Sequence, residues 1–330
     1  MQWGLVIAAL GVLGCRSAPS EAELDRLRDE ANRANAEAVA RAPASREPGY
    51  TLTVSGQIRK PSATLGWSEL LRIGQTHVRT INVQNADRKT PTEFRGVLVR
   101  DLLDRFDAAP GATEATMVAI DGFRATVQIA DARAYRMLLA IEADGAPIPR
   151  TAGGPIFLVH PFSESGPELR AKYPDRFWAF YVTHVVVGTE PPRLVIDGHT
   201  LDRAALERIP TRGYDGPVGW KVDWPADGVH LRGVMLTDAV AAAGVALPAR
   251  GRIVIRGKAP IHNDPDQPIA IAVEDVARCA PLLALRSGPD EAPIPARLGG
   301  PIALAIGPCD APGADRLWVT FVEQIAVEAR

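Results

Sequence analysis

The residues able to carry chemistry are few and scattered. Six histidines occur, His77, His160, His184, His199, His230 and His262. No two have ligand spacing and no Cys or carboxylate cluster accompanies them, so no metal site is expected. His160 stands out between Val159 and Pro161, at the end of a β-patterned run. It either lines a pocket or bonds the backbone as a strand-end histidine. Ser163 to Asp175 is a polar insertion carrying Arg170 and Lys172, with Arg176 just beyond. Those cations would face an entering anion, and a solvated connector explains the segment equally well. Of the three cysteines, Cys279 and Cys309 lie in the second half. An oxidising compartment would let them close a loop of about 30 residues; two buried free thiols fit the same placement. No Gly-x-Ser-x-Gly, His-Glu-x-x-His, P-loop or dinucleotide fingerprint is present.

The elements that must position these residues come from a chain of 330, which at about 150 residues per domain predicts two domains. Hydrophobic residues are 46% and charged residues 23% of it, enough apolar material for sizeable cores. The net charge is −2, so no cationic excess exists for phosphates and nucleic acid is not an expected partner. With 29 Gly and 28 Pro, turns must be frequent and elements short.

Residues 3–14 form an apolar run ending at Cys15. About a dozen residues are too few to span roughly 30 Å of hydrocarbon, so the run reads as a signal-peptide core rather than a membrane helix. A buried N-terminal helix is the competing reading. Val12-Leu13-Gly14-Cys15 resembles the lipobox of bacterial lipoproteins. That resemblance implies cleavage before Cys15, lipidation of its thiol, and a membrane partner. Arg16 after the Cys favours the outer membrane, at the periplasmic face of the cell envelope. Residues 15–48 then read as a tether helix and linker, with Leu24, Leu27, Ala31 and Ala38 at helical spacing and Pro43, Pro48 and Gly49 ending it.

From Tyr50 the sequence repeats itself. Leu52-Thr-Val-Ser-Gly56 returns as Leu194-Val-Ile-Asp-Gly198, and Phe94-Arg-Gly-Val97 as Leu231-Arg-Gly-Val234. Ala146-Pro-Ile-Pro149 with Gly153-Gly-Pro-Ile156 returns as Ala292-Pro-Ile-Pro295 with Gly299-Gly-Pro-Ile302. Arg176-Phe-Trp-Ala-Phe-Tyr-Val182 returns as Arg316-Leu-Trp-Val-Thr-Phe-Val322. Four blocks in one order predict two tandem units, 49–190 and 191–330, parted at the stiff Pro191-Pro192. Within each unit short β-branched runs alternate with one or two helices, including Val97 to Phe106 and Asp131 to Ile141. The expected class is α+β with mixed sheets.

The order of these blocks, with Asp121-Gly122-Phe123, Leu138-Leu139-Ala140 and Trp178 in the first copy, resembles the molybdopterin-binding domain of the sulfite-oxidase superfamily. The second copy keeps Arg232-Gly233-Val234, Leu282-Leu283-Ala284 and Trp318, with Arg256-Gly257-Lys258 at the Asp-Gly-aromatic step. The resemblance implies a molybdopterin fold and an oxidoreductase ancestry. In that family a Cys thiolate, from the loop before the Gly-Val step, binds molybdenum, as a soft ligand should. Here the matching loops hold Val83, Gln84 and Asn85 in one copy and Trp220, Lys221 and Val222 in the other. The family's cations after Gly-Gly-Pro and before Trp are replaced by Phe157, Ala303, Phe177 and Leu317.

Residues 1–14 also contain no Arg, which points to export unfolded rather than by the twin-arginine route with a cofactor aboard. The expectation is therefore a lipoprotein without a cofactor, molybdopterin entering by resemblance only. It would act in binding or assembly, taking a small anionic ligand or an envelope protein as partner. A molybdopterin-dependent oxidoreductase with an unusual or absent metal ligand is the alternative. Loop positions that the family uses nominate Gln84, Asn85, Arg95 and His160 as the cofactor-side or ligand-side residues of the first copy.

Overall fold

The computed structural model describes residues 50–85, 89–217, 224–225, 228–307, 309 and 317–329. The expected signal peptide, Cys15, the tether, and the loop residues Trp220, Lys221 and Val222 lie outside them. In the first unit a five-stranded sheet runs, edge to edge, Ala63–Gly66, Thr51–Gly56, Val182–Val187, Glu114–Ala119, Arg124–Gln128. Thr51–Gly56 pairs parallel with Val182–Val187, Thr53 opposite His184, and the other pairs are antiparallel. A second sheet runs Thr76–Ile81, Pro91–Leu98, Leu138–Ala143, Ala146–Pro147, with Phe157–Val159 also on the third of these.

The second unit repeats the plan. One sheet runs His199–Leu201, Leu194–Ile196, Val322–Ala329, Gly251–Gly257, Ile269–Ala272. The other runs Thr211–Gly216, Val229–Met235, Leu282–Ser287, Ala292–Pro293, with Ala303–Ala305 on the third. Short helices such as Val99–Arg105 and Leu236–Ala242 follow the Arg-Gly-Val strands. The class is mixed α+β. Buried apolar side chains form one core drawn from residues 50–187 and another from 194–325.

The repeated Arg-Gly-Val has a backbone cause. At Arg95/Gly96 and again at Arg232/Gly233 the pairing register slips by a bulge. A Cβ on Gly96 would sit 2.0 Å from the Leu139 carbonyl oxygen, and one on Gly233 2.0 Å from that of Leu283. Only glycine admits that approach.

Three local expectations are corrected. Asp131 to Ile141 is not one helix. Ile129–Ala134 is helical and Leu138–Ala143 is a strand, flanked by Leu98 and Val97 on one side and Val159 and Leu158 on the other. A strand buried on both faces reads as a continuous apolar run, which periodicity cannot tell from a helix. The helix expected from Val97 starts at Val99, because Val97 and Leu98 still belong to the strand. The polar insertion is not a loop: Phe162–Lys172 is helical with a break at Gly166, φ 73°, before Pro167. Gly-Pro hid that helix from the sequence pattern.

Candidate functional site

Each unit carries the same turn. A 3-10 turn, Arg150–Ala152 or Ala296–Leu298, leads into a glycine at positive φ, Gly153 at 85° and Gly299 at 83°. Tyr181 and Phe321, themselves at φ 51° and 53°, donate their N–H groups to the Gly153 and Gly299 carbonyls at 2.6 and 2.5 Å. Side-chain-bearing residues adopt positive φ only when their surroundings enforce it. The two turns are therefore one inherited template, and what differs is the side chains set upon it.

In the first unit the nominated residues do not act alike. The Gln84 side-chain nitrogen lies 3.1 Å from where a Cβ on Gly153 would stand, with the Phe180 ring at 2.8 Å. That turn is thus covered by Gln84 and Phe180. Asn85 donates from its amide to the Thr90 carbonyl at 3.4 Å, within its own loop. Arg95 donates through Nε to Glu142 Oε2 at 2.6 Å, through Nη2 to Glu142 Oε1, and through Nη1 to Gln75 Oε1 at 3.4 Å. The hydrogen bond from Arg95 holds the Glu142 carboxyl below its ordinary range. This cation is already neutralised.

His160 is fully buried. Its ring stacks between Phe162 and Tyr173, centroids 5.6 and 5.2 Å away, with Trp178 at 6.2 Å. Nε2 lies 3.1 Å from the Phe177 carbonyl, which requires Nε2 to carry the proton and donate. Nδ1 finds no partner among the described residues. Burial lowers its pKa to about 4, so the ring is neutral. The strand-end reading bonded to backbone describes it; it lines no opening to solvent.

The cations of the insertion are also committed, contrary to the expectation that they face an anion. Arg170 pairs with Asp175 at 3.1 Å and Lys172 with Asp131 at 2.5 Å, while Arg176 lies over the Phe177 ring at 5.2 Å. Sequence reading missed the Lys172 partner because Asp131 is 41 positions away and joined only by the fold, whereas Asp175 lies five positions from Arg170 within the insertion. In the second unit a cleft of about 800 Å³ opens between Trp224, His230, Ser287, Pro289, Pro293 and Leu298. Trp224 donates from Nε1 to the Leu298 carbonyl at 3.0 Å, so it lies against the turn as Gln84 does in the first unit. Cys279 and Cys309 form a disulfide, Cα atoms 5.1 Å apart.

With turn and bulge in place, the comparison with known families is direct; Trp178 and Trp318 lie ahead of the closing strands Val182–Val187 and Val322–Ala329 rather than within them. Residues 39–165 match the model of the oxidoreductase molybdopterin binding domain. That stretch, a little over a third of the chain, is thus similar to a molybdopterin-binding domain. No curated protein sequence matches the chain. Among solved structures it is similar to the sulfane dehydrogenase SoxCD of Paracoccus pantotrophus. Identity there is 13% and the TM-score 0.36, over 69% of this chain and 60% of that one.

The donors present do not suit a molybdopterin centre. A molybdenum ligand in this superfamily is a thiolate. The first molybdopterin-type unit contains no cysteine, and the second spends both of its cysteines on one disulfide. The cations that would meet a pterin phosphate are absent or already paired with Glu142, Asp175 and Asp131.

Proposed function

We propose that this protein is a non-catalytic binding or assembly lipoprotein of the cell envelope, built on two molybdopterin-type units that serve as scaffold. One observation carries the reading: neither unit offers a free thiolate, because the only two cysteines after residue 15 are bonded to each other. The covered Gly153 turn and the neutral, enclosed His160 support it, since the resemblance implies that His160 stands where the family lines its pocket. Anchoring through lipidated Cys15 at the periplasmic face rests on the Leu13-Gly14-Cys15 pattern. An anionic small molecule is a weaker candidate than an envelope protein, because Arg95, Arg170 and Lys172 are paired with Glu142, Asp175 and Asp131.

Two measurements test this. Elemental analysis of the purified full-length protein should find no stoichiometric molybdenum or tungsten. A metal-to-protein ratio near one would turn the assignment to a molybdopterin-dependent oxidoreductase with an unusual ligand. For the anchor, Cys15→Ser should abolish lipidation and move the protein from the membrane to the soluble fraction. Unchanged partitioning removes the lipoprotein half of the proposal.

A further inference from the structure

The insertion Phe162–Lys172 is two half-helices rather than one. Gly166 breaks it at φ 73° and ψ −177°, and Pro167 follows. Nothing lies within 4 Å of where a Cβ on Gly166 would stand. The first half is bonded to the fold beneath it. The Ser163 N–H donates to Thr80 Oγ1 at 3.2 Å, Ser163 Oγ accepts from the Ile81 N–H at 3.2 Å, and the Phe162 N–H donates to the His160 carbonyl at 2.8 Å. In the second half Leu169 and Tyr173 are buried, while Pro167, Glu168, Ala171 and Lys172 are exposed. Its far end is fastened at Asp131, which accepts from the Tyr173 hydroxyl and pairs with Lys172 Nζ at 2.5 Å. The Tyr173 oxygen in turn accepts from the Gln128 N–H at 3.0 Å. Pro174, in extended backbone, then carries the chain away.

This second half closes one side of His160. The imidazole is clasped between Phe162 of the anchored half and Tyr173 of the other, with interplanar angles of 11° and 9°. Lifting residues 167–173 bares the ring while Phe162 and the strand Phe157–Val159 stay in place. Nδ1 has no partner among the described residues, so the closed form leaves a buried acceptor unmet that water satisfies on opening. The second unit holds the equivalent place covalently, its segment after Ala303–Ala305 bonded through Cys309 to Cys279. In the first unit the fastening is reversible: hydrogen bonds and an ion pair whose Lys172 side chain is 52% exposed.

The charges around the clasp leave His160 as the group that acid reaches. Of the rings about it only Tyr173 ionises, and burial with the Asp131 hydrogen bond pushes its phenol well above the ordinary value. Cations stand behind the rings, Arg170 over Phe162, Lys172 over Tyr173 and Arg176 over Phe177, and they disfavour a charged imidazole in the closed form. Asp175 and Asp131 are paired with Arg170 and Lys172, and Glu164 of the anchored half with Arg136. On the strands beneath, His77 and Arg79 are exposed and Glu142 is tied to Arg95. Burial works against the Asp131 carboxylate, but hydrogen bonds from Lys172 and Tyr173 hold it below its ordinary range, so the latch stays charged at mildly acid pH. We propose that residues 167–173 form a strap, hinged at Gly166 and Pro174 and latched on Asp131, whose opening bares His160 to a proton and is therefore driven by acid. An exposed imidazole titrates near 6.5 and the enclosed one at about 4, so the open-to-closed ratio rises about 30-fold from pH 7.5 to pH 5. Such a strap works whether or not a cofactor or partner is ever bound.

Hydrogen exchange of the full-length protein, resolved into peptides by mass spectrometry and corrected for the intrinsic effect of pH on amides, reads the opening. Amides of residues 168–173 should lose protection about 30-fold between pH 7.5 and pH 5, while those of Phe157–Val159 keep theirs. His160→Gln should abolish that pH dependence, because no proton is then taken up on opening. Asp131→Asn should speed exchange of the same residues about fivefold at pH 7.5, with the strand unaffected. Circular dichroism shows whether each variant is folded. Protection at 168–173 that is flat with pH in the parent overturns the proposal, as does a slope that survives in folded His160→Gln. A strand Phe157–Val159 that exchanges in step with residues 168–173 overturns it too, since the whole unit then opens and no strap moves. If His160→Gln does not fold, Asp131→Asn decides alongside the parent's pH series: exchange at 168–173 no faster than the parent's refutes the latch.

Discussion

Buried between Phe162 and Tyr173, the imidazole of His160 stays neutral because burial penalises its charged form, which lowers its pKa to about 4. In the unfolded chain the same ring titrates near 6.5. As pH falls below about 6.5 the unfolded state takes up the proton first, so stability is full above that value and is lost toward pH 4, by about 3 kcal/mol for this group. His184 acts in the same direction, lowered to about 3 by burial and then by the Lys258 charge. His160→Phe should therefore flatten the fall of Tm between about pH 7 and pH 5, at a cost of about 1–3 kcal/mol for the Phe177 carbonyl left without its donor. Thermal melts of both proteins across that range check it. An unchanged acid slope would mean that His160 is not the buried neutral group described. The rationale for such a ring at this position was half legible: Val159-His160-Pro161 marked a strand end, but its aromatic enclosure comes from residues up to 18 positions on.

Among the elements, the helix Val273–Cys279 and the segment after Ala303–Ala305 are joined by the Cys279–Cys309 bond. In the first unit the corresponding place after Phe157–Val159 is held by the helix Phe162–Lys172, with Arg170–Asp175 and Lys172–Asp131 pairs. The two units thus secure one position by different means. Cys279→Ala with Cys309→Ala should lower stability by about 3 kcal/mol through the unfolded state of the released loop. Denaturant unfolding with and without reductant measures it, and reductant should no longer affect the double variant. Strands such as Glu114–Ala119 were visible as β-branched runs. Leu138–Ala143 was not, because its burial on both faces erased the alternation that identifies a strand.

At the scale of the whole molecule, Arg124 ties the units together from a buried position, and its donors would leave orphaned acceptors if removed. Lys258, 8% exposed, adds a second tie to Glu190 of the linker at 3.3 Å and to Glu323 at 2.7 Å. Arg124→Ala should cost about 2–4 kcal/mol, as the loss of a buried charge-assisted network does. In calorimetry a single unfolding transition should broaden or split as the units uncouple. A variant that melts as one sharp transition at the parental temperature would show that the joint does not couple them.

The amino-acid order by itself determined the repeat, the mixed α+β class, the Gly-Gly-Pro turns and the lack of a thiolate at the family's ligand loops. Each of these is local or is an inventory: a glycine that must approach a carbonyl, a cysteine that is or is not present. Only the tertiary structure decided which polar groups remain available. Lys172 looked like part of an anion site, and Arg95 like a ligand-side residue, until the fold set Asp131 and Glu142 beside them. Likewise, the Val118–Phe321 contact joins residues about 200 positions apart. The reason is one of range: periodicity and turn chemistry act over a few residues, while charge pairing and burial depend on neighbours that only folding selects.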